Sequence, residues 1–217
     1  GPGSALGVLA ERVLEYALGI FELAVCQGPA CCAVKSSTDR AHSAGKLGTP
    51  RCVPRILTPA EFRSQPWKNG GGVTHEIVRW PADGQGDAYE IRISIADDRT
   101  PGPFSRFPGY RRWSFLAGAA PIVLDVAGTV HELVTLGDHL EVGGDVAITC
   151  ALPAGPTRLF NILVRDGVDA SVGRCPCALP IRFAFALAAL PWLPAGHAAV
   201  FDPPAVATLT ADAVWLR

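Results

Sequence analysis

A chain of 217 residues that is 49% apolar and 18% charged has ample material for a packed core and too few charges for a disordered polymer. Its formal net charge of −1, with both signs interspersed, gives neither the basic stripe of a nucleic-acid binder nor an acidic tail for a basic partner. Seven cysteines at irregular spacing make no disulfide framework, and the closest pair, Cys175-Pro176-Cys177, lacks the paired CxxC groups of a structural zinc site. The thiols read as structural or incidental, which points to a reduced, cytoplasmic protein.

Gly1-Pro2-Gly3-Ser4 reads as the scar of a cleaved tag. Leu6, Leu9, Val13, Ala17, Ile20 and Ala24 then recur at helical spacing, with Glu11, Arg12 and Glu15 among them. This predicts one amphipathic helix, too charged for a signal-peptide core and too short to span a membrane. From Gln27 to Pro54 the chain is rich in small and polar residues without periodicity and reads as a linker. The expected organisation is a remnant over 1–4, a helix and linker over 5–52, and the main domain over 53–217.

Beyond Val53 the period changes to two. Residues 74–80 alternate, with His75, Ile77 and Arg79 on one face and Thr74, Glu76 and Val78 on the other. Residues 88–96 set Tyr89, Ile91, Ile93 and Ile95 against Glu90, Arg92 and Ser94. Further strands are predicted at 112–116, 122–126, 131–136, 145–150, 158–164, 181–186, 197–201 and 205–209. Gly and Pro punctuate them, so the fold class is all-β, an antiparallel sandwich or barrel.

The run Pro66-Trp67-Lys68-Asn69-Gly70-Gly71-Gly72-Val73-Thr74-His75-Glu76 carries the strongest chemical signal. Consecutive glycines can adopt positive φ and expose backbone amides, while the polar residues around them converge on one small space. If the Tyr89/Ile91/Ile93/Ile95 face packs between sheets, Arg92 and Ser94 point to solvent; if instead the barrel holds a ligand, they line its mouth. Arg suits a carboxylate because its planar fork presents paired donors. A second cluster, Gly102 to Trp113, brackets Phe104, Ser105, Arg106 and Phe107 with Pro/Gly turns, a pattern of apolar walls with a few polar groups. There is no GxSxG, HExxH, dinucleotide loop or P-loop, and none of the five histidines forms a His-x-His pair. No metal and no cofactor are expected.

Four motifs in order resemble the HutD/Ves family: Trp67 to Ile77 its W-[RK]-N-G-G-G-x-T-x-E-I signature, Arg92-Ile93-Ser94-Ile95-Ala96 its R-[LI]-S-[IV]-A strand, Gly102 to Gly109 its G-P-F-S-x-F-P-G loop, and Phe160-Asn161-Ile162-Leu163-Val164-Arg165 its F-N-L-M-x-R strand. The resemblance covers about residues 54–217. It implies a bicupin without the usual metal ligands, associated with bacterial histidine utilisation and binding a small carboxylate such as urocanate or formylglutamate. The ligand-binding residues it implies are Trp67, Asn69, Gly70, Gly71, Thr74, His75, Glu76, Arg92, Ser94, Phe104, Ser105, Phe107, Arg112 and Asn161, with no catalytic residue. His75 stands where an Arg is usual, which predicts weaker anion recognition or a different ligand. The alternative is a metal-independent enzyme acting on an imidazole or formylated carboxylate, with His75 or Glu76 as base. No nucleic-acid or membrane partner is expected, and a homodimer is left open.

Overall fold

The computed structural model describes residues 53–82, 89–174, 180–207, 209–210 and 212–217. Within them the chain is all-β, with one 3-10 turn at Pro59–Glu61. The strands are β1 (Arg55–Leu57), β2 (Arg63–Pro66), β3 (Gly72–Trp80), β4 (Ile91–Asp98), β5 (Gly102–Pro103), β6 (Tyr110–Leu116), β7 (Ile122–Val126), β8 (Thr129–Leu133), β9 (His139–Gly143), β10 (Ile148–Ala151), β11 (Thr157–Arg165), β12 (Val172–Arg174), β13 (Ile181–Ala186), β14 (Ala198–Ala205) and β15 (Ala213–Leu216). The expected N-terminal helix, His42, every cysteine except Cys150, and the start of the strand expected at 88–96 lie outside the described residues. No helix among the described residues is long and apolar enough to cross a membrane.

Three antiparallel sheets result: β2-β3-β4-β11-β6-β9, β1-β14-β13-β15-β12 and β5-β10-β7-β8. The six-stranded sheet holds the middle. Ile91, Ile93 and Ile95 of β4, Trp113 and Phe115 of β6, and Phe160, Ile162 and Val164 of β11 cover one of its faces. They pack against Phe183, Phe185, Val214 and Leu216 of the five-stranded sheet, with Phe160 and Phe185 stacked 4.4 Å between ring centroids. From its opposite face, Leu116 and Leu159 join Ile122, Leu124, Leu133, Ile148 and Cys150 in a separate core with the four-stranded sheet. Alternation along one strand thus feeds two apolar layers.

Two expectations need correction. Residues 205–209 form no strand of their own: Ala205 ends β14, and the C-terminal strand is Ala213–Leu216. Ala213, Val214 and Leu216 are all buried, so that strand has no alternation to read. The second correction concerns β3. Its register against β4 shifts between Glu76 and Val78, a bulge at Ile77. One extra residue inverts the phase beyond it, so Arg79 falls on the face of Glu76 rather than on that of His75. The two side chains are joined by an ion pair of 2.7 Å.

The glycine run works differently from an open amide cradle. Only Gly70 has a positive φ, at 71°. Its N–H donates to the Trp67 carbonyl and that of Gly71 to Asn69 Oδ1, so both amides are used within the turn. Gly71 and Gly72 are small because neighbours crowd them: a Cβ on Gly72 would collide with the Asp97 carbonyl oxygen and stand 3.0 Å from the Trp67 ring. Gly72→Ala is therefore expected to cost about 2 kcal/mol of stability, a Tm lower by roughly 6 °C in a thermal melt followed by circular dichroism.

Candidate functional site

Cross-strand register arranges the inner face of the six-stranded sheet in rows. Arg92 and Arg112 flank Leu163, Ser94 and Ser114 flank Asn161, Ala96 and Leu116 flank Leu159, and Asp98 lies beside Thr157. These rows grade from cationic through polar to apolar and end on a carboxylate. The isoleucine face of β4 packs between sheets, yet the Arg92/Ser94 face lines a cavity of about 530 Å³ instead of pointing to solvent, so the structure joins one half of each sequence alternative. That volume suits a small metabolite.

Two loops cover the rows. Trp67, Lys68 and Asn69 come from the glycine turn, and the Trp67 Nε1–H donates to Thr74 Oγ1 at 2.8 Å, which fixes the indole over the sheet. Pro103, Phe104, Ser105 and Phe107 form the other side. The Phe104 N–H is held by the Ile148 carbonyl and the Phe107 N–H by that of Gly144, tying this loop to neighbouring strands.

The charged groups are held differently. Arg92 Nε donates to Glu76 Oε2 at 2.7 Å, the oxygen that Arg79 also reaches. Burial works against the Glu76 charge, but the hydrogen bonds from Arg79 and Arg92 outweigh it and hold that carboxyl below its ordinary range. Arg112 is 9% exposed; Nε donates to Ser114 Oγ at 3.1 Å and Nη2 to Asn161 Oδ1 at 3.0 Å. Its guanidinium lies 4.8 Å from the Phe104 ring centroid, a cation–π contact. Burial pushes its pKa down to about 10, so it stays charged at neutral pH. Asp98 is 1% exposed and its Oδ2 has no hydrogen-bond partner. Burial raises its pKa to about 7 despite the opposing pull of Arg112, and Asp97 adds to the rise.

The cavity collects Trp67, Asn69, Thr74, Arg92, Ser94, Phe104, Ser105, Phe107, Arg112 and Asn161 from the sequence-derived set. It does not collect Gly70, Gly71, His75 or Glu76. The glycines shape the turn, and Glu76 acts through Arg92. His75 shares the phase of Ile95 in the opposite layer, where Nδ1 meets Ser64 Oγ at 2.8 Å and Nε2 meets Asp97 Oδ2 at 3.3 Å. It therefore links β2 to β4, and its replacement of the usual Arg does not reach the cavity. Of the two candidate bases, Glu76 is bonded to Arg79 and Arg92, and His75 to Ser64 and Asp97. Sequence reasoning missed Gln65, Pro66, Lys68, Ala96, Asp98, Pro103, Leu159 and Leu163. Asp98 was within reach, since it continues the 92, 94, 96 alternation one step past the expected strand end. Among the described residues no group of three or more His, Cys, Asp or Glu is arranged to hold a metal ion.

The model of the HutD family matches residues 59–185, more than half of the chain and every strand that floors this cavity. The chain belongs to the HutD family. An uncharacterised 21.2 kDa protein in the hutC 3' region of Pseudomonas putida is 34% identical over 109 residues, 50% of this chain and 57% of that protein. Protein Ves of Escherichia fergusonii is 30% identical over 100 residues, 46% of this chain and 51% of that protein. The chain thus spans about half the length of the curated relatives it matches. The structure of HutD from Pseudomonas fluorescens SBW25 (formate condition) superposes with a TM-score of 0.61 at 26% identity, covering 76% of this chain and 93% of that one. The HutD similarity accordingly takes in the all-β fold as well as the motifs.

Proposed function

We propose that residues 53–217 form a non-catalytic, HutD-like bicupin that binds a small carboxylate metabolite of histidine degradation, urocanate or formylglutamate, and so moderates that pathway. The observation that carries this reading is the pair Arg92 and Arg112 on one row of a cavity sized for such a ligand. Arg92 commits Nε to Glu76, which leaves its terminal nitrogens for an entering anion. Apolar layers on both faces of the six-stranded sheet support the two-barrel reading.

Titration calorimetry with urocanate, formylglutamate and histidine, run alongside product detection, tests the reading. Saturable heat without turnover is expected, weakened at least tenfold by Arg92→Ala and left within twofold by His75→Ala. Turnover abolished in Glu76→Ala or His75→Ala would establish the enzymatic alternative instead.

A further inference from the structure

The cavity wall carries Arg92, Arg112 and the Asp98 carboxylate, with Glu76 behind Arg92. Arg92 shares the Glu76 carboxylate with Arg79, each at 2.7 Å, while the hydrogen-bond partners of Arg112 are the neutral Ser114 and Asn161 and its attraction to Asp98 acts across the cavity. With Asp98 ionised, an entering carboxylate meets a second carboxylate on the wall of the same cavity, one whose Oδ2 no hydrogen bond engages. With Asp98 protonated, that repulsion is gone and the acid offers an O–H donor.

We infer that this cavity takes up its carboxylate ligand together with a proton, and that Asp98 holds that proton. The inference rests on the carboxylate-binding reading above and adds the ionic form of the complex. Asp98 Oδ2 is buried on the cavity wall without a partner, a position that is costly for a charge and satisfied by an O–H bonded to a ligand oxygen. The other groups around it are cations, neutral or already bonded, the last including His75, which meets Asp97 Oδ2 at 3.3 Å in the opposite layer. Arg112 from β6 and Arg92 from β4 are permanent cations, and Lys68 lies on the covering turn. Asp97, its neighbour on β4, is tied to Arg158 at 2.8 Å. Cys150 of β10 is held neutral by burial, with Asp98 adding to the rise in its thiol pKa. Facing positions on β3 and β11 are Gly72 and Thr157, which do not titrate. In the empty protein the Asp98 pKa near 7 means that the proton is only part-bound at neutral pH, and an added anion must pull it in.

The test is calorimetry of urocanate and formylglutamate binding at pH 8 in buffers of different ionisation enthalpy. The observed heat should vary with buffer enthalpy with a slope approaching one proton taken up per ligand, and affinity should fall by up to about tenfold per pH unit above 7. Asp98→Asn keeps the shape and a donor, and should bind with zero proton slope and an affinity flat from pH 6 to 8.5. Saturable binding by the wild-type protein with zero slope overturns this inference and leaves the carboxylate reading standing. Absence of binding at both pH 6 and pH 8 overturns the two together. The wild-type slope decides the matter even should the variant fail to fold.

Discussion

Arg112→Met is expected to weaken carboxylate binding at least about 30-fold while the protein still folds. Truncating one partner of a buried, hydrogen-bonded charge pair costs about 2–5 kcal/mol, and each 1.4 kcal/mol is tenfold in Kd. With a ligand carboxylate bound, Arg112 meets the condition: it is buried, oriented at Nε and Nη2 by the neutral Ser114 and Asn161, and packed on the Phe104 ring. Met is similar in length, so the Leu163 row keeps its packing, while Ser114 and Asn161 lose their donor at a cost of about 1–3 kcal/mol of stability. Arg112→Lys keeps the charge without the fork, leaves the Ser114 and Asn161 contacts incomplete, and should fall between the two. Calorimetry for Kd and urea denaturation for stability separate the effects. An Arg112→Met protein that folds and binds with wild-type affinity would remove the buried guanidinium from the recognition chemistry.

What the sequence made legible follows from how each strand is buried. β4 separates an apolar face from a polar one, so Ile91, Ile93 and Ile95 and the Arg92/Ser94 face could be assigned before any coordinates. Motif residues that line the cavity were likewise accessible, because each sits on those faces or on the two Gly/Pro-marked loops. Three things were hidden. The bulge at Ile77 has no Gly or Pro to mark it, so strict alternation put Arg79 on the wrong face. β15, buried on both faces, carried no period. Asp98 lay past the last residue of a recognised motif, and only the register with Thr157 places its carboxylate in the cavity rather than in a turn. His75 shows the converse: a departure within a signature drew attention, yet its phase along β3 points it to Ser64 and Asp97.

Stability is expected to fall as pH rises from about 4 to 8, and Asp98 is the reason. In the folded chain its carboxyl has a pKa of about 7, against 3.8 when exposed, so across that interval the native state holds a proton that the unfolded state has released. The sign follows: the contribution is fully present below 3.8 and lost as pH passes through 7. At roughly 1.4 kcal/mol per unit of separation, the ceiling is about 4 kcal/mol, enough to dominate the pH profile of a domain whose whole stability is of order 10 kcal/mol. Glu76 acts in the opposite sense at the acid end. Its two arginine partners hold its pKa below 4.5, so its contribution is present above that value and disappears on further acidification. Together they place the stability maximum in mildly acidic solution. Asp98→Asn removes the titrating group and keeps the shape, although Arg112 loses the electrostatic attraction of that carboxylate. It should flatten the profile and exceed the wild-type protein by about 2 kcal/mol at pH 8, with the advantage vanishing near pH 4. Urea denaturation of both proteins at pH 4, 6 and 8 reads this directly. Parallel curves for the two would mean that Asp98 is ionised at little cost in the folded state, and that the cavity wall is better solvated than its 1% exposure implies.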